Sequence, residues 1–240
     1  MASGREGWAV VRRLRWAPLL LLVVALWVVL AGDQPADAPA HPEIHDSEGR
    51  PVPAEAAHLV DLHEFSPDLI LDIRYAREDN VFGRALYPVA RALCARGTAV
   101  KLARAQQALA AQGFRLILWD SYRPESVQRR MWAMVPDTRF VADPNVGSKH
   151  SRAAAVDVSL ADADGNPLLM PTDHDFFGPE ASPSWPDHPP EVRRRAAILA
   201  EAMRGAGFFQ GTTEWWHFVD NDYRQYPLLD VPLDVPVPAP

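Results

Sequence analysis

The sequence predicts an α+β fold: a mostly antiparallel sheet flanked by helices, in a single domain behind an N-terminal signal or anchor. Three observations predict it. Segments that alternate with the two-residue period of strands and segments with helical spacing do not follow one another in regular turn, which argues against a parallel βαβ array. The 240 residues are 48% hydrophobic, enough to bury one sizeable core. Proline is concentrated near both ends and in the loops. The net charge of -7, with no basic stripe beyond the N-terminus, argues against a nucleic-acid partner. The single cysteine, Cys94, excludes an intramolecular disulfide and reads as a small buried hydrophobe on a helix.

Residues 1–32 come first. Arg5, Arg12, Arg13 and Arg15 precede the apolar run "APLLLLVVALWVVLAG", the layout of an export signal, with Ala31 as the last residue removed. The run is long for a cleaved signal and marginal against the ~20 residues of a spanning helix, so an uncleaved anchor is the alternative. Residues 33–57 are rich in Pro, Ala and acids and read as a flexible linker. His41 and His45 lie in it, and a flexible linker does not preorganise metal ligands.

The folded domain is expected over residues 58–240. "LILDIRYA" (Leu69 to Ala76) alternates as a strand and gives way to a loop closing at Gly83. From Thr98, "TAVKLARAQQALAAQG" has helical spacing and good helix formers, with Gly113 as a stop. "FRLILWDSYRP" is a second strand, and Pro124 opens the helix "ESVQRRMWAMV". "AAAVDVSLADADGNPLLM" reads as a strand, a turn at Asp164 to Pro167, and a return. In that strand Val156, Val158 and Leu160 share one face, and Ala155, Asp157 and Ser159 the other. "EVRRRAAILAEAMRGAGF" is an amphipathic helix ending near Gly205 to Gly207, and "EWWHFVD" is a last strand. The tail "YPLLDVPLDVPVPAP" is too rich in proline for regular structure, although its leucines can pack along the domain.

Chemistry concentrates at three places. In "SKHSRAAAVDVSL", His150 and Asp157 stand seven apart, and an aspartate inside an apolar strand is costly to bury unless it is paired or bound to a metal. In "TTEWWHF", Glu214 and His217 stand three apart. Two histidines, an aspartate and a nearby glutamate are the parts of a catalytic zinc site: three ligands leave a fourth position open, and a carboxylate beside it acts as base. The helical H-E-x-x-H motif is absent, so the site has to be assembled across strands. In "DSYRP", Arg123 ends an apolar strand. It is either a site residue or a surface arginine paired with Asp120.

Taken together, "LDIRYAREDNVFG", "DSYRP", "SKHSRAAAVDVSL", "MPTDHDFF" and "EWWHFVD", in that order from about Leu59 to the C-terminus, resemble the zinc D-alanyl-D-alanine peptidases. Within them the chain looks most like the dipeptidases of the vancomycin-resistance type. The resemblance implies one zinc per chain, held by His150, Asp157 and His217. It implies Glu214 as the general base that takes a proton from the attacking water and passes it to the leaving amine. Arg123 would neutralise the oxyanion. Ser148 would contact the substrate carboxylate, and Asp175 the substrate ammonium.

Two departures from the family pattern stand out. Ala153 replaces a glycine between the ligands, at a cost of about 1 kcal/mol if the position needs a positive φ. Pro171 and His174 replace a glycine and an apolar residue before Asp175, and His174 is expected to shape the pocket rather than to be a fourth ligand. His58, His63 and His188 have no motif context and read as structural or exposed.

Function follows as an expectation: an exported zinc enzyme cleaving D-Ala-D-Ala, located in the periplasm, outside the cell, or on the membrane through an uncleaved N-terminus. Its partner is a small dipeptide, with peptidoglycan stem peptides as the alternative for a related carboxypeptidase or endopeptidase. Export favours the alternative, because polymerised wall lies outside the membrane. The "RYAREDNVFG" segment and Asp175 favour the dipeptidase. A wall-binding module without catalysis would need no base beside its metal, so Glu214 and Arg123 speak against it.

Overall fold

The computed structural model describes residues 58–237, and the expected signal, anchor and linker lie outside them. Among the described residues no helix is long and apolar enough to cross a membrane. The expected α+β class is what the chain forms. Strands β1 (Leu59–Asp61) and β3 (Leu93–Ala95) pair as a small antiparallel ribbon. The main sheet has five strands: β2 (Ile70–Leu71), β4 (Phe114–Asp120), β5 (Ala155–Asp162), β7 (His217–Asp220) and β6 (Phe208–Gln210), in that spatial order. Only the β2–β4 pair is parallel.

Helix α1 (Leu62–Phe65) is a single turn after β1. Helix α2 (Arg96–Ala110) buries Thr98, Ala99, Leu102, Ala105, Gln106 and Leu109, a stripe at three- and four-residue spacing. It packs against β4 and α4 (Pro190–Ala206). Gln106 accepts a hydrogen bond from the Leu116 N–H at 2.8 Å, so the polar member of the stripe is satisfied. Helix α3 (Glu125–Met134) follows Pro124 as expected. Strand β5 is central, and Ala155 to Ala161 are buried on both of its faces, which is why the segment reads as a near-continuous run of small and apolar residues.

Several local expectations are corrected. The stretch from Leu69 to Ala76 is not one strand: β2 is two residues long and gives way to a 3-10 turn at Arg74–Ala76, which buries Tyr75. The last strand starts at His217, not Glu214, because the Trp215 N–H bonds the Ala181 carbonyl (2.9 Å) outside the sheet. The return after the Asp164 turn is an isolated bridge between Ala161 and Pro167, and proline has no N–H to extend it. Cys94 is buried, but in β3 rather than on a helix. Helix α4 does end where expected, with Gly207 at φ 105° as its stop, but the short strand β6 that follows at Phe208 was not anticipated.

The tail runs along the domain as its leucines suggest. Leu229, Val231 and Leu233 are buried. The Leu229 carbonyl and the Asp230 carboxylate accept the Glu125 and Ser126 N–H groups, closing the open N-terminus of α3. Tyr122 exchanges hydrogen bonds with both backbone groups of Val231. Arg91 ties Asp61 (2.6 Å) to the Leu233 (3.3 Å) and Val235 carbonyls.

Candidate active site

The antiparallel ladder sets Asp157 of β5 opposite His217 of β7 on one side and Asp120 of β4 on the other. Directly opposed residues have Cβ atoms ~4.5–5.5 Å apart, so three polar side chains necessarily meet on one buried face. A register irregularity between Leu118 and Asp120 turns the end of β4 there.

His150 arrives from a 3-10 turn (His150–Arg152) just before β5. Ala153 ends that turn in the left-handed region, at φ 54° and ψ 29°, so the position does require a positive φ. Its carbonyl is held by the Ala95 N–H (2.9 Å), and its own N–H returns to the His150 carbonyl (2.9 Å). The "DSYRP" segment wraps the histidine. His150 Nδ1 donates to the Ser121 carbonyl at 2.7 Å and lies 3.5 Å from Asp120 Oδ2, while the Arg123 N–H donates to the His150 carbonyl. With Nδ1 so committed, Nε2 is the nitrogen that faces the site.

Three ligand atoms converge. His217 Nδ1 is 2.9 Å from Asp157 Oδ1 and 3.2 Å from His150 Nε2, and His150 Nε2 is 3.5 Å from Asp157 Oδ1. Ligand bonds of ~2.0–2.1 Å in a tetrahedron put donor atoms about 3.3–3.4 Å apart, so the triad fits zinc in spacing and in donor chemistry. Burial pushes the Asp157 carboxyl up, but the adjacent His150 and hydrogen bonds from three histidines hold it well below the usual carboxylate range.

Arg123 is 7% exposed and fixed on every side. It donates to Asp120 Oδ2 through Nη2 (2.7 Å) and Nε (3.2 Å), and to Gln128 Oε1 through Nη1 (2.9 Å), with its guanidinium 5.2 Å from the Tyr75 ring centre. The pairing with Asp120 is therefore real, but it is buried at the site rather than superficial. Glu214 lies half-buried in the turn before β7, and burial pushes its carboxyl up to about 7, with Asp157 and Asp175 adding to the rise against the opposing pull of His217. Ser148 is buried and accepts the His150 N–H at 3.2 Å. Asp175 accepts the Tyr75 hydroxyl at 2.7 Å from a left-handed backbone, φ 56°.

The His174 side chain is buried and bonds Asp157 Oδ2 through Nε2 at 3.1 Å. Burial lowers its basicity, yet Asp175 and Asp157 raise it further, to about 8. The three-residue ligand cluster does not include it.

All seven residues singled out in the sequence (Arg123, Ser148, His150, Asp157, Asp175, Glu214 and His217) line one cavity of about 320 Å³. Tyr75, Phe82, Phe140 and Phe177 are among its other lining residues. The sequence reading missed Asp120 as an organiser of both His150 and Arg123, and it missed the Tyr75–Asp175 bond. Asp120 carried a usable signal, since it too is an acid ending an apolar strand. Tyr75 carried none, because its place depends on β2 stopping early.

A family model described as D-ala-D-ala dipeptidase matches residues 55–234. The chain belongs to this family. A D-alanyl-D-alanine dipeptidase of Escherichia coli is 36% identical over 176 residues, covering 73% of this chain and 91% of the relative. One from Enterococcus faecium is 31% identical over 190 residues, covering 69% and 91%. Among solved structures, a vancomycin-resistance D,D-dipeptidase, VanXYg, in complex with a D-Ala-D-Ala phosphinate analogue covers 70% of this chain and 74% of its own. It is 17% identical, with a TM-score of 0.38.

Proposed function

We propose that this chain is a zinc D-alanyl-D-alanine dipeptidase in which Glu214 and Arg123 act on the transition state. One observation carries the reading: the ligand triad, a glutamate, an arginine and a carboxylate fit for an ammonium share a single cavity sized for a small molecule. Zinc held by His150, Asp157 and His217 supplies Lewis-acid polarisation and an activated water. Glu214, raised toward neutrality by burial, takes a proton from the attacking water and returns it to the leaving amine. Arg123, unable to turn because Asp120 and Gln128 hold it, presents fixed positive charge to the oxygen that becomes negative. Asp175 meets the free ammonium of the dipeptide, and Ser148 its carboxylate. Asp175 favours a free dipeptide over a stem peptide, whose acylated nitrogen offers no cation there.

We further propose, from the arginines and apolar run of residues 1–32, that the enzyme works outside the cytoplasm and serves peptidoglycan metabolism. Incubation of the purified protein with D-Ala-D-Ala, N-acetyl-D-Ala-D-Ala and a stem pentapeptide, with and without chelator, tests the reaction. Chelator-sensitive cleavage of the free dipeptide alone is expected. Equal cleavage of the acylated compound would replace the dipeptidase with the carboxypeptidase. A C-terminal reporter active only outside the cytoplasm tests the location, and a silent, well-expressed fusion would count against export.

A further inference from the structure

The imidazole of His174 stands between two carboxylates with different duties. Its Nε2 is 3.1 Å from Asp157 Oδ2, the oxygen that the ligand cluster does not use, and its Nδ1 is 3.5 Å from Asp175 Oδ2. A carboxylate accepts and does not donate, so Nε2 carries the hydrogen of the shorter contact, and the longer Nδ1 contact holds the ring beside Asp175. Three aromatic rings fix the plane of the imidazole: Trp119, Tyr75 and Trp216 have their ring centres 5.3, 5.5 and 5.7 Å away. The next residue, Asp175, is held at φ 56° although it is not glycine, a strain that surrounding contacts have to sustain. Tyr75 grips the same Asp175 oxygen from the other side at 2.7 Å. An apolar residue at 174 could fill this space, but it could not join the two acids.

We propose that His174 is a positioning residue that locks Asp157 for the metal through a hydrogen bond and Asp175 for the substrate ammonium through a longer polar contact, joining the two acids through one ring. This rests on the zinc dipeptidase reading. Through Nε2 it fixes which oxygen of Asp157 faces the metal, as outer partners of metal ligands do. Through Nδ1 it fixes the carboxylate that receives the dipeptide.

The two contacts can be separated by shape. In His174→Gln the side-chain amide nitrogen falls near the place of Nε2, so the Asp157 contact survives and the Asp175 contact is lost. In His174→Asn the amide falls near the place of Nδ1, and the reverse holds. His174→Phe keeps a ring and loses both. Zinc affinity is measured by chelator competition on the full chain, without substrate. It should fall roughly 10–100-fold in Phe and Asn and stay near wild type in Gln. At saturating zinc, KM for D-Ala-D-Ala should rise about 3- to 10-fold in Phe and Gln with little change in kcat, and stay near wild type in Asn. Circular dichroism and melting of the metal-free variants verify that each is folded. If all three folded variants match wild type in zinc affinity and KM, His174 only fills space and the proposal is wrong. If Gln and Asn lose both properties alike, the ring packing and not the two polar contacts matters, which also overturns it. A wild type that takes up no zinc would instead remove the dipeptidase reading itself.

Discussion

In the proposed mechanism Glu214 joins catalysis and stability in one residue. Its carboxyl titrates at about 7 in the folded metal-free protein, above the ordinary 4.5, because burial opposes the charge. A raised pKa favours folding fully below pH 4.5, and that contribution is lost as the pH rises through 7. Glu214→Gln should therefore stabilise the metal-free protein at pH 8, by on the order of 1–3 kcal/mol, and not at pH 4. The same variant should keep its metal and lose about 10²–10⁴-fold in kcat, because an amide cannot accept the proton. Paired melting curves at the two pH values and steady-state kinetics check both halves. Arg123→Ala should cost about 10²–10³-fold in kcat with a smaller change in KM. At Ala153, left-handed backbone costs ~1–2 kcal/mol in an L-residue and glycine gives back about 0.4–1 through its freer unfolded chain. Ala153→Gly should thus stabilise by about 0.5 kcal/mol, and a lower melting temperature would show that its buried methyl matters more. Much of this scale was legible in the sequence, since His150, Asp157, Glu214 and His217 are polar groups in apolar company. His174 was less legible: its spacing says nothing of Asp157, which lies seventeen residues earlier and is reached only through tertiary structure.

Among the elements, β5 carries the site because it is central: its neighbours on either side, β4 and β7, each deliver one polar residue to Asp157. A slip of one residue in either pairing would turn Asp157 away from its partner, so the buried apolar face of β5 protects the metal geometry as well as the core. The loop leading to His150 is equally constrained. Gly147 has φ 90°, and a Cβ there would lie 2.7 Å from Leu228 Cδ1. Gly147→Ala should cost about 1–2 kcal/mol and raise KM, because the displaced backbone is that of Ser148. Unfolding and kinetics on this single variant check it, and an unchanged KM would mean that the tail yields instead. Helices α2, α3 and α4 were readable from composition and spacing. The short strands were not: β1, β3 and β6 are three residues each, too brief for a period to register, and they exist because distant partners complete their hydrogen bonds.

For the molecule as a whole, removal of the metal should abolish activity and take away the stability that its binding adds. A ligand at a hundred times its Kd adds about 2.7 kcal/mol. Chelation should then lower the Tm by roughly 5–10 °C in a domain of this size, and zinc should restore it. The irregular order of strands and helices was enough to reveal the α+β class. The closing role of the tail was only half visible, because its prolines erase periodicity while Leu229 and Leu233 still mark it as apolar. The junction at Arg91 has a consequence for how the chain can be strung. One guanidinium holds Asp61, near the start of the described domain, and the carbonyls of Leu233 and Val235, near its close, so the two ends lie side by side. The order of the elements is then separable from their arrangement. A circular permutant that joins those ends with a short Gly/Ser bridge and opens the exposed turn between Asp164 and Gly165 breaks no strand of the main sheet. It should fold, bind one zinc and cleave the dipeptide, whereas an opening inside β5 should do none of these.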